Sequence, residues 1–260
     1  MQPEHFLNIA VLVSEGRHPV SGRARRALQD ACALELAFAL EGGLEVIHAG
    51  DSTRSALHDY LGMGLERLTV LRQAEGDDAL AVLAPYLDEV QPDLLLTGIQ
   101  AEQGEGSGML PYLLAEHLGW PLVTGIAAIE QIEGDQVTLL QALPRGQRRR
   151  LTVQLPLVAS VDEAAASPRQ LAFARARRGT ISEQQPVAPQ RDADSAGWQW
   201  QHAKSRPKRL KVARAKTAAD RFKQATAKAQ GGKGQIIRND PQAAARAIYD
   251  LLVEEGVLRK

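Results

Sequence analysis

The chain has 260 residues, 44% of them hydrophobic and only 4% aromatic, which is enough to bury one large core built mainly from aliphatic side chains. Its 31 basic and 31 acidic residues cancel, and its single cysteine, Cys32, excludes an internal disulfide and a cysteine-cluster metal site. No apolar run approaches the roughly 20 residues of a membrane-spanning helix, and the N-terminus lacks the basic start of a signal peptide, so we expect a cytoplasmic protein.

Residues 8–130 alternate between strand-like and helix-like patterns. Short apolar runs, typical of buried strands, occupy 8–13, 44–50, 67–72, 92–98 and 120–130. Segments with helical periodicity lie between them at 24–40, 52–64, 77–90 and 109–119; Ser52 or Thr53 is the expected cap of the second, and Pro85 lies inside the third. This alternation predicts an α/β fold, a doubly wound and mostly parallel sheet with helices on both faces.

The pattern changes after residue 130. Strand-like runs follow one another at 136–143, 148–155 and 156–163, and PRGQ at 144–147 is typical of a hairpin turn between the first two. We therefore expect a β-hairpin added to the parallel sheet. The chain is predicted to have three regions: an α/β domain at 1–179, a linker at 180–203, and a basic arm at 204–260 ending in a helix at 241–258 that Asp240 caps.

The neutral total charge hides a strong asymmetry. Residues 1–135 hold 7 Arg, no Lys and 21 acidic residues, whereas residues 136–260 hold 24 basic and 10 acidic residues. Residues 204–238 alone carry 12 Lys or Arg and one acid. Such halves attract each other or partners of opposite charge, unless the charge is simply solvated surface. Because the arm has few aromatic side chains that could stack on bases, it favours a protein interface over nucleic acid.

A glycine-rich loop, GEGSGM at 104–109, separates the fourth strand from the helix that follows it. Ligands of open α/β sheets bind beyond the carboxyl ends of strands, so this loop is well placed for a site. Its spacing fits neither a Walker loop, nor a Rossmann fingerprint, nor a nucleophile elbow. Two interpretations stay open: the backbone N–H groups and the Ser107 hydroxyl form an anion site at a helix N-terminus, or the glycines only make a turn.

No set of residues stands out with the spacing of a catalytic or metal site. The six histidines are scattered, and none pairs with another at metal-ligand spacing. Glu102 and Glu105 share the loop, but neighbouring loop acids usually face water. No acid–base pair or nucleophile set is therefore evident in the sequence, and we expect no metal.

The run GIQAEQGEGSGMLPYLLAEHLGWPLVTGI at 98–126 resembles the nucleotide-binding signature of electron transfer flavoprotein β subunits. The matching positions are Gly98, Gln100, Ala101, Gly104, Pro111, Leu114, Ala115, Glu116, Leu118, Gly119 and Pro121. Four further segments resemble that family in the same order: DACALELAFAL (30–40), YLGMGLERLTVL (60–71), LPLVASVDEAAASPRQLAF (155–173) and the C-terminal GGKGQIIRNDPQAAARAIYDLL. The resemblance thus covers nearly the whole chain.

The resemblance implies one half of a heterodimeric electron carrier. An α subunit would hold most of the FAD, and this β subunit would cover part of the flavin ring and bind AMP, or a second FAD in a bifurcating branch. The pair would carry electrons from flavin-dependent dehydrogenases to an acceptor such as a membrane quinone reductase, without substrate chemistry, nucleic acid or membrane insertion. The arm at 204–260 would wrap around the α subunit. The alternatives are a flavin-free, adenine-nucleotide-binding regulatory module of the same fold and an adenylating or pyrophosphatase-type enzyme.

The resemblance also implies which residues form the sites. The cofactor-binding residues would be Leu12, Val13, Ala49, Gly50, Gln100, Gln103, Gly104, Glu105, Gly106, Ser107, Gly108 and Met109. Leu171 and Phe173 would dock the dehydrogenase, with arginines around them as a charged rim. The alternative for Phe173 is a place in the core.

The chain departs from the family pattern at three places near the site. The threonine and glutamine of the family's phosphate loop are Gly106 and Gly108 here, so Ser107 offers the remaining hydroxyl. The Asn-Pro pair before the first helix is replaced by Ala and Leu at 27–28. The hairpin after the first strand is shortened to 14–22, which leaves Arg17 and His18 as the candidates for contact with the flavin.

Overall fold

The computed structural model describes residues 6–74, 76–104, 106–185, 191–192, 197–199, 201–203, 217–219, 222, 237 and 240–254. Their strands are β1 (Asn8–Leu12), β2 (Glu15–Arg17), β3 (Ala24–Arg26), β4 (Gly43–Gly50), β5 (Arg67–Arg72), β6 (Leu94–Gly98), β7 (Leu122–Glu133), β8 (Gln136–Ala142), β9 (Arg148–Gln154), β10 (Leu157–Val161) and β11 (Thr180–Gln184). Helices form at α1 (Leu28–Phe38), α2 (Ala56–Gly62), α3 (Ala79–Val90), α4 (Leu110–Leu118), α5 (Phe173–Arg178) and α6 (Pro241–Glu254). In these ranges, no helix has the length and hydrophobicity needed to cross a bilayer.

Nine of the described strands form one sheet, in the order β11-β5-β4-β1-β6-β10-β7-β8-β9, while β2 and β3 pair separately. Neighbouring strands are parallel except at β7–β8 and β8–β9, which are antiparallel. The predicted α/β fold with an added hairpin is confirmed, and the turn of that hairpin lies at Pro144–Gly146, within the predicted PRGQ.

The sheet is built in two directions from β1. The chain runs first through β4 to β5 on one side of β1, and then crosses back to β6, which pairs with β1 on its other side. The connection that follows β1 and the connection that follows β6 therefore run to opposite faces of the sheet. Open α/β sheets bind ligands at such a reversal, beyond the carboxyl ends of the strands.

Alternate residues of β1 face two separate cores. Ile9 and Val11 belong to a cluster that includes the buried sides of α1 and α2. Ala10 and Leu12 belong to a second cluster, which includes the buried sides of α3 and α4. Because both faces of the central strands are covered, these strands read as continuous apolar runs instead of alternating ones.

Two helices begin later than their periodicity predicts. Residues 24–26 form β3, not the first turn of α1, because they pair with β2 in an antiparallel hairpin. Helix α2 begins at Ala56, and neither of the predicted caps is used. Ser52 and Thr53 lie in a preceding turn, where the Thr53 N–H donates to the Asp51 carboxylate (2.9 Å).

The linker prediction is wrong at its start. Residues 180–184 form β11, which pairs in parallel with β5 at the edge of the sheet. The Thr180 N–H donates to the Glu66 carbonyl (2.8 Å), and Ile181 packs against the core. The polar TISEQ sequence gives only a weak strand pattern, so the strand depends on the exposed edge of β5.

The chain divides into two compact units, residues 1–200 and 201–260. In the second unit, α6 begins where the sequence predicts, and the Asp240 carboxylate accepts from the N–H groups of Gln242 (3.1 Å) and Ala243 (3.0 Å). The predicted cap is therefore confirmed. Most of the predicted linker and arm lies outside the described residues, and the boundary between them at 203–204 stays a prediction.

Candidate functional site

The carboxyl ends of β1, β4 and β6 lie side by side at the reversal point of the sheet. Leu12 and Val13, at the end of β1, are buried, and the Val13 N–H donates to the Ile47 carbonyl of β4 (2.9 Å). Ala49 and Gly50 end β4 and are half-buried. The predicted residues from both strands thus lie at one end of the sheet, beside the loop that follows β6.

A buried carboxylate joins the ends of β1 and β6. Asp30, in the first turn of α1, accepts from the N–H of Ser14 (2.7 Å), the hydroxyl of Ser14 (2.5 Å) and the N–H of Gly98 (3.1 Å). Burial raises the pKa of Asp30 to about 6, although the bonds from Ser14 and Gly98 favour the ionised form. Asp30 therefore connects the end of β1 to the end of β6.

The neighbouring Gln29 extends this attachment into the loop. Its side-chain oxygen accepts from the N–H groups of Ile99 (3.0 Å) and Gln100 (3.2 Å). Three consecutive N–H groups, beginning with that of Gly98 at the end of β6, are thus bound by the first turn of α1. Backbone donors that have left a sheet need such partners, and here they hold the start of the loop rigidly.

Glu102 connects the loop to α1 in the other direction, because its side chain accepts from a backbone N–H of that helix. The N-cap of α1, Ala27, has no side chain that could accept a hydrogen bond, and the Leu28 N–H donates to Glu102 instead (2.9 Å). Glu102 also accepts from the Arg17 N–H (3.1 Å) and from the Arg25 guanidinium (3.1 and 3.2 Å). A loop residue therefore caps the helix across space and connects it to the β2–β3 hairpin.

The glycine loop combines left-handed backbone with free donors. Gly104, Gly106 and Gly108 have φ of +73°, +61° and +74°, which other residues adopt only with strain. Within the described part of the chain, the N–H groups of Gly104, Ser107 and Gly108 have no hydrogen-bond partner. Several free N–H groups in a short, curved loop suit an anion such as phosphate.

Ser107 keeps a free donor beside α4. Its hydroxyl oxygen accepts from the Met109 N–H (3.2 Å), so the hydroxyl proton can point to a ligand. Met109 is the N-cap of α4, and Pro111 lies in the first turn. The N-terminus of α4 adds its partial positive charge to the loop. Of the two interpretations of the loop, the anion site therefore has the better support.

Most of the predicted cofactor residues lie in one region, but two of them have other surroundings. Those at the strand ends and in the loop share one region, whereas Gln100 is exposed and Gln103 donates to Glu15 of β2 (3.1 Å). Glu105 lies outside the described residues. No residue of this set contradicts the prediction, and its ligand stays a prediction.

Sequence reasoning missed the residues that hold the site together, namely Ser14, Gln29, Asp30, Tyr60 and Glu102 in its capping role. Tyr60 is buried, donates to the Ser14 carbonyl (2.7 Å) and accepts from the Ala27 N–H (2.9 Å). A signal existed for Asp30, because an acid in the first turn of a buried helix after strand one needs local donors. For Glu102 there was none, since its partners lie 74 to 85 residues away.

The predicted docking residues lie on the surface. Leu171 is 44% exposed and Phe173 is 78% exposed, so the alternative that Phe173 is a core residue is wrong. Phe173 begins α5, a helix rich in arginine, and the Arg177 guanidinium lies 6.0 Å from its ring. The Ala172 N–H donates to the Gly62 carbonyl (3.0 Å), which holds this segment on α2.

Several of the described histidines have local structural contacts. His48 is buried, its Nδ1 lies 2.9 Å from the Val13 carbonyl, and burial lowers its pKa. His117 pairs with Asp88 on the surface (2.8 Å). Across the described ranges, no three His, Cys, Asp or Glu side chains are grouped as metal ligands.

Comparison with known proteins gives one consistent result. The family model of the electron transfer flavoprotein domain matches residues 24–189. The chain is 52% identical over 268 positions to the electron transfer flavoprotein subunit beta of Chromohalobacter salexigens, with both chains covered completely. It is 35% identical over 146 residues to the putative electron transfer flavoprotein subunit YgcR of Escherichia coli, covering 52% of this chain and 54% of that protein. The chain therefore belongs to the electron transfer flavoprotein β-subunit family.

Proposed function

We propose that this chain pairs with an electron transfer flavoprotein α subunit and that the heterodimer carries electrons from flavin-dependent dehydrogenases to an acceptor such as a membrane quinone reductase. The observation that carries the proposal is the 52% identity to a β subunit over the full length of both chains. In this role the chain performs no substrate chemistry of its own. Its basic arm, residues 204–260, packs on the α subunit, and the exposed Ile248 and Leu251 of α6 supply apolar contact area.

The nucleotide of this chain is AMP, bound where β1, β4 and β6 end. The free N–H groups of the glycine loop and the Ser107 hydroxyl support a phosphate there. Leu12, Val13, Ala49 and Gly50 would lie near the adenosine. AMP contributes no redox chemistry, and its role is to stabilise the fold around the loop.

The redox group is FAD, held mainly by the α subunit. When bound, it supplies the chemistry that accepts and releases electrons. This chain would cover part of the flavin through the β2–β3 hairpin, whose Arg17 and His18 are the candidate contacts. The hairpin is held against the loop by Glu102 and so presents a defined surface.

Co-expression with the α subunit tests these assignments. We expect the purified heterodimer to show a flavin absorption spectrum and to release one FAD and one AMP on denaturation. FAD without AMP would contradict the nucleotide site but leave the electron carrier, and two FAD would indicate the bifurcating type. A chain that binds neither an α subunit nor flavin would overturn the proposal.

Replacing Phe173 by Ala should raise the KM for the electron-donating dehydrogenase about tenfold, because an exposed aromatic anchor is lost. The free energy of unfolding should stay nearly unchanged, since this side chain is 78% exposed. Steady-state electron transfer from the dehydrogenase measures the effect.

Leu113→Ala is the matched control for Leu171→Ala, because the two leucines are 43% and 44% exposed. Leu113 lies on α4, whereas Leu171 lies in the segment before α5. We expect only Leu171→Ala to raise the KM. Equal effects of the two leucine variants would contradict a docking role of the 171–173 segment.

A further inference from the structure

The β2–β3 hairpin packs directly on the carboxylate of Glu102. A Cβ placed on Gly16 would lie 2.7 Å from Glu102 Oε2 and 2.9 Å from the Cα of Ala27. Only glycine leaves room for this approach. The hairpin backbone and the loop side chain are therefore in tight contact, in addition to the hydrogen bond from the Arg17 N–H.

The hairpin depends on contacts outside itself. Strands β2 and β3 have three residues each, and an isolated two-stranded hairpin of this length is at best marginally stable. Two of its attachments lead to the residues just before the glycine loop: Glu102, which accepts from the Arg17 N–H and the Arg25 guanidinium, and Gln103, which donates to Glu15 (3.1 Å). Others lead to Asp59 and to the Arg169 carbonyl.

Glu102 lies directly before the part of the loop with free donors. Gly98 to Gln100 are fixed by α1, and a single residue, Gln103, separates Glu102 from Gly104. A ligand held by Gly104 and by residues 106–108 is therefore connected to Glu102 through one intervening residue. Because Glu102 accepts from β2, β3 and α1, the effect reaches all three elements.

We propose that Glu102 is a positioning residue that couples the β2–β3 hairpin to the glycine loop, so that a nucleotide phosphate bound at the loop orders the hairpin. The coupling rests on the proposed AMP site and adds a regulatory consequence to it. Since the hairpin is the proposed contact of this chain with the flavin, nucleotide occupancy adjusts the flavin's surroundings without touching the flavin.

Amide hydrogen exchange of the nucleotide-free, full-length chain tests the coupling, with and without saturating AMP. In the unaltered chain, AMP should slow exchange about tenfold both in the loop, 98–109, and in the hairpin segment, 14–28. The Glu102→Gln side chain keeps one oxygen, but its NH2 group cannot accept from the Arg17, Arg25 and Leu28 donors. In this variant, AMP should therefore protect the loop and not the hairpin. Glu130→Gln is the matched control, because Glu130 also accepts two bonds from one arginine, Arg150, on a distant hairpin.

Each outcome distinguishes the coupling from the nucleotide site. Loop protection without hairpin protection in the unaltered chain would overturn the coupling and leave the AMP site standing. Hairpin protection that persists in Glu102→Gln would also overturn it. Protection of neither segment would overturn the AMP site, and the coupling with it. Gly16→Ala crowds the same carboxylate and also the Ala27 backbone, and it should likewise limit AMP protection to the loop.

Discussion

Replacing Gly98 by alanine should lower the free energy of unfolding by about 3 kcal/mol, through overpacking and the loss of a hydrogen bond to a buried carboxylate. The new Cβ would lie 2.3 Å from Asp30 Oδ1 and 3.1 Å from the Cβ of Gln29. Asp30 cannot move aside without breaking its bonds to Ser14, because it is buried between the ends of β1 and β6. The substitution should therefore also separate the two strand ends and weaken AMP binding.

Urea denaturation of the full-length chain measures this loss of stability. Gly43→Ala is the matched control in β4, because its Cβ would approach the exposed ring of Phe6 (3.1 Å), which can rotate away. We expect a change below about 1 kcal/mol for that variant. Equal denaturation midpoints for the two variants would show that Asp30 does not hold β6 in place.

Asp30 should make the stability of the protein depend on pH, with a contribution that is lost as the pH rises. Its pKa is about 6 in the folded chain and near its usual 3.8 when unfolded, so the folded state binds the proton more tightly. The stabilisation is complete below about pH 4 and disappears as the pH passes 6. A shift of about two pKa units corresponds to a change of roughly 3 kcal/mol in the free energy of unfolding.

Two other groups act in the opposite direction. Burial lowers the pKa of His48, so its contribution is present above the usual histidine pKa and is lost as the pH falls. The bond from Arg169 lowers the pKa of Glu35, whose contribution is lost only in stronger acid. The total pH profile therefore mixes opposing contributions, and the difference from an Asp30 variant is the informative quantity.

Denaturation of the unaltered chain and of Asp30→Asn between pH 4 and 7 measures that difference. The advantage of the unaltered chain should grow as the pH falls, by roughly 3 kcal/mol. Ser14→Ala should shift the transition to higher pH, because the Ser14 hydroxyl favours the ionised carboxylate. Parallel stability profiles for the unaltered chain and Asp30→Asn would rule out this role of Asp30.

The sequence was less informative wherever a structure depends on a distant partner. The run at 156–163 was predicted as a strand, but its place between β6 and β7 could not be read from a pattern, because parallel neighbours are joined through other elements. The strand at 180–184 was missed for the same reason. Its polar sequence pairs only because the edge of β5 is available.

By itself, the sequence determined the α/β fold, the added hairpin, the Asp240 cap and the position of the glycine loop, because each depends on periodicity or on residues close together in the chain. The family could be recognised from motifs for the same reason. Only the tertiary structure decided how the site is held. Asp30 meets Gly98 across 68 residues, and Glu102 meets Leu28 across 74. Such contacts form when folding brings helix α1 against the end of β6, and the identity of either residue alone does not reveal its partner.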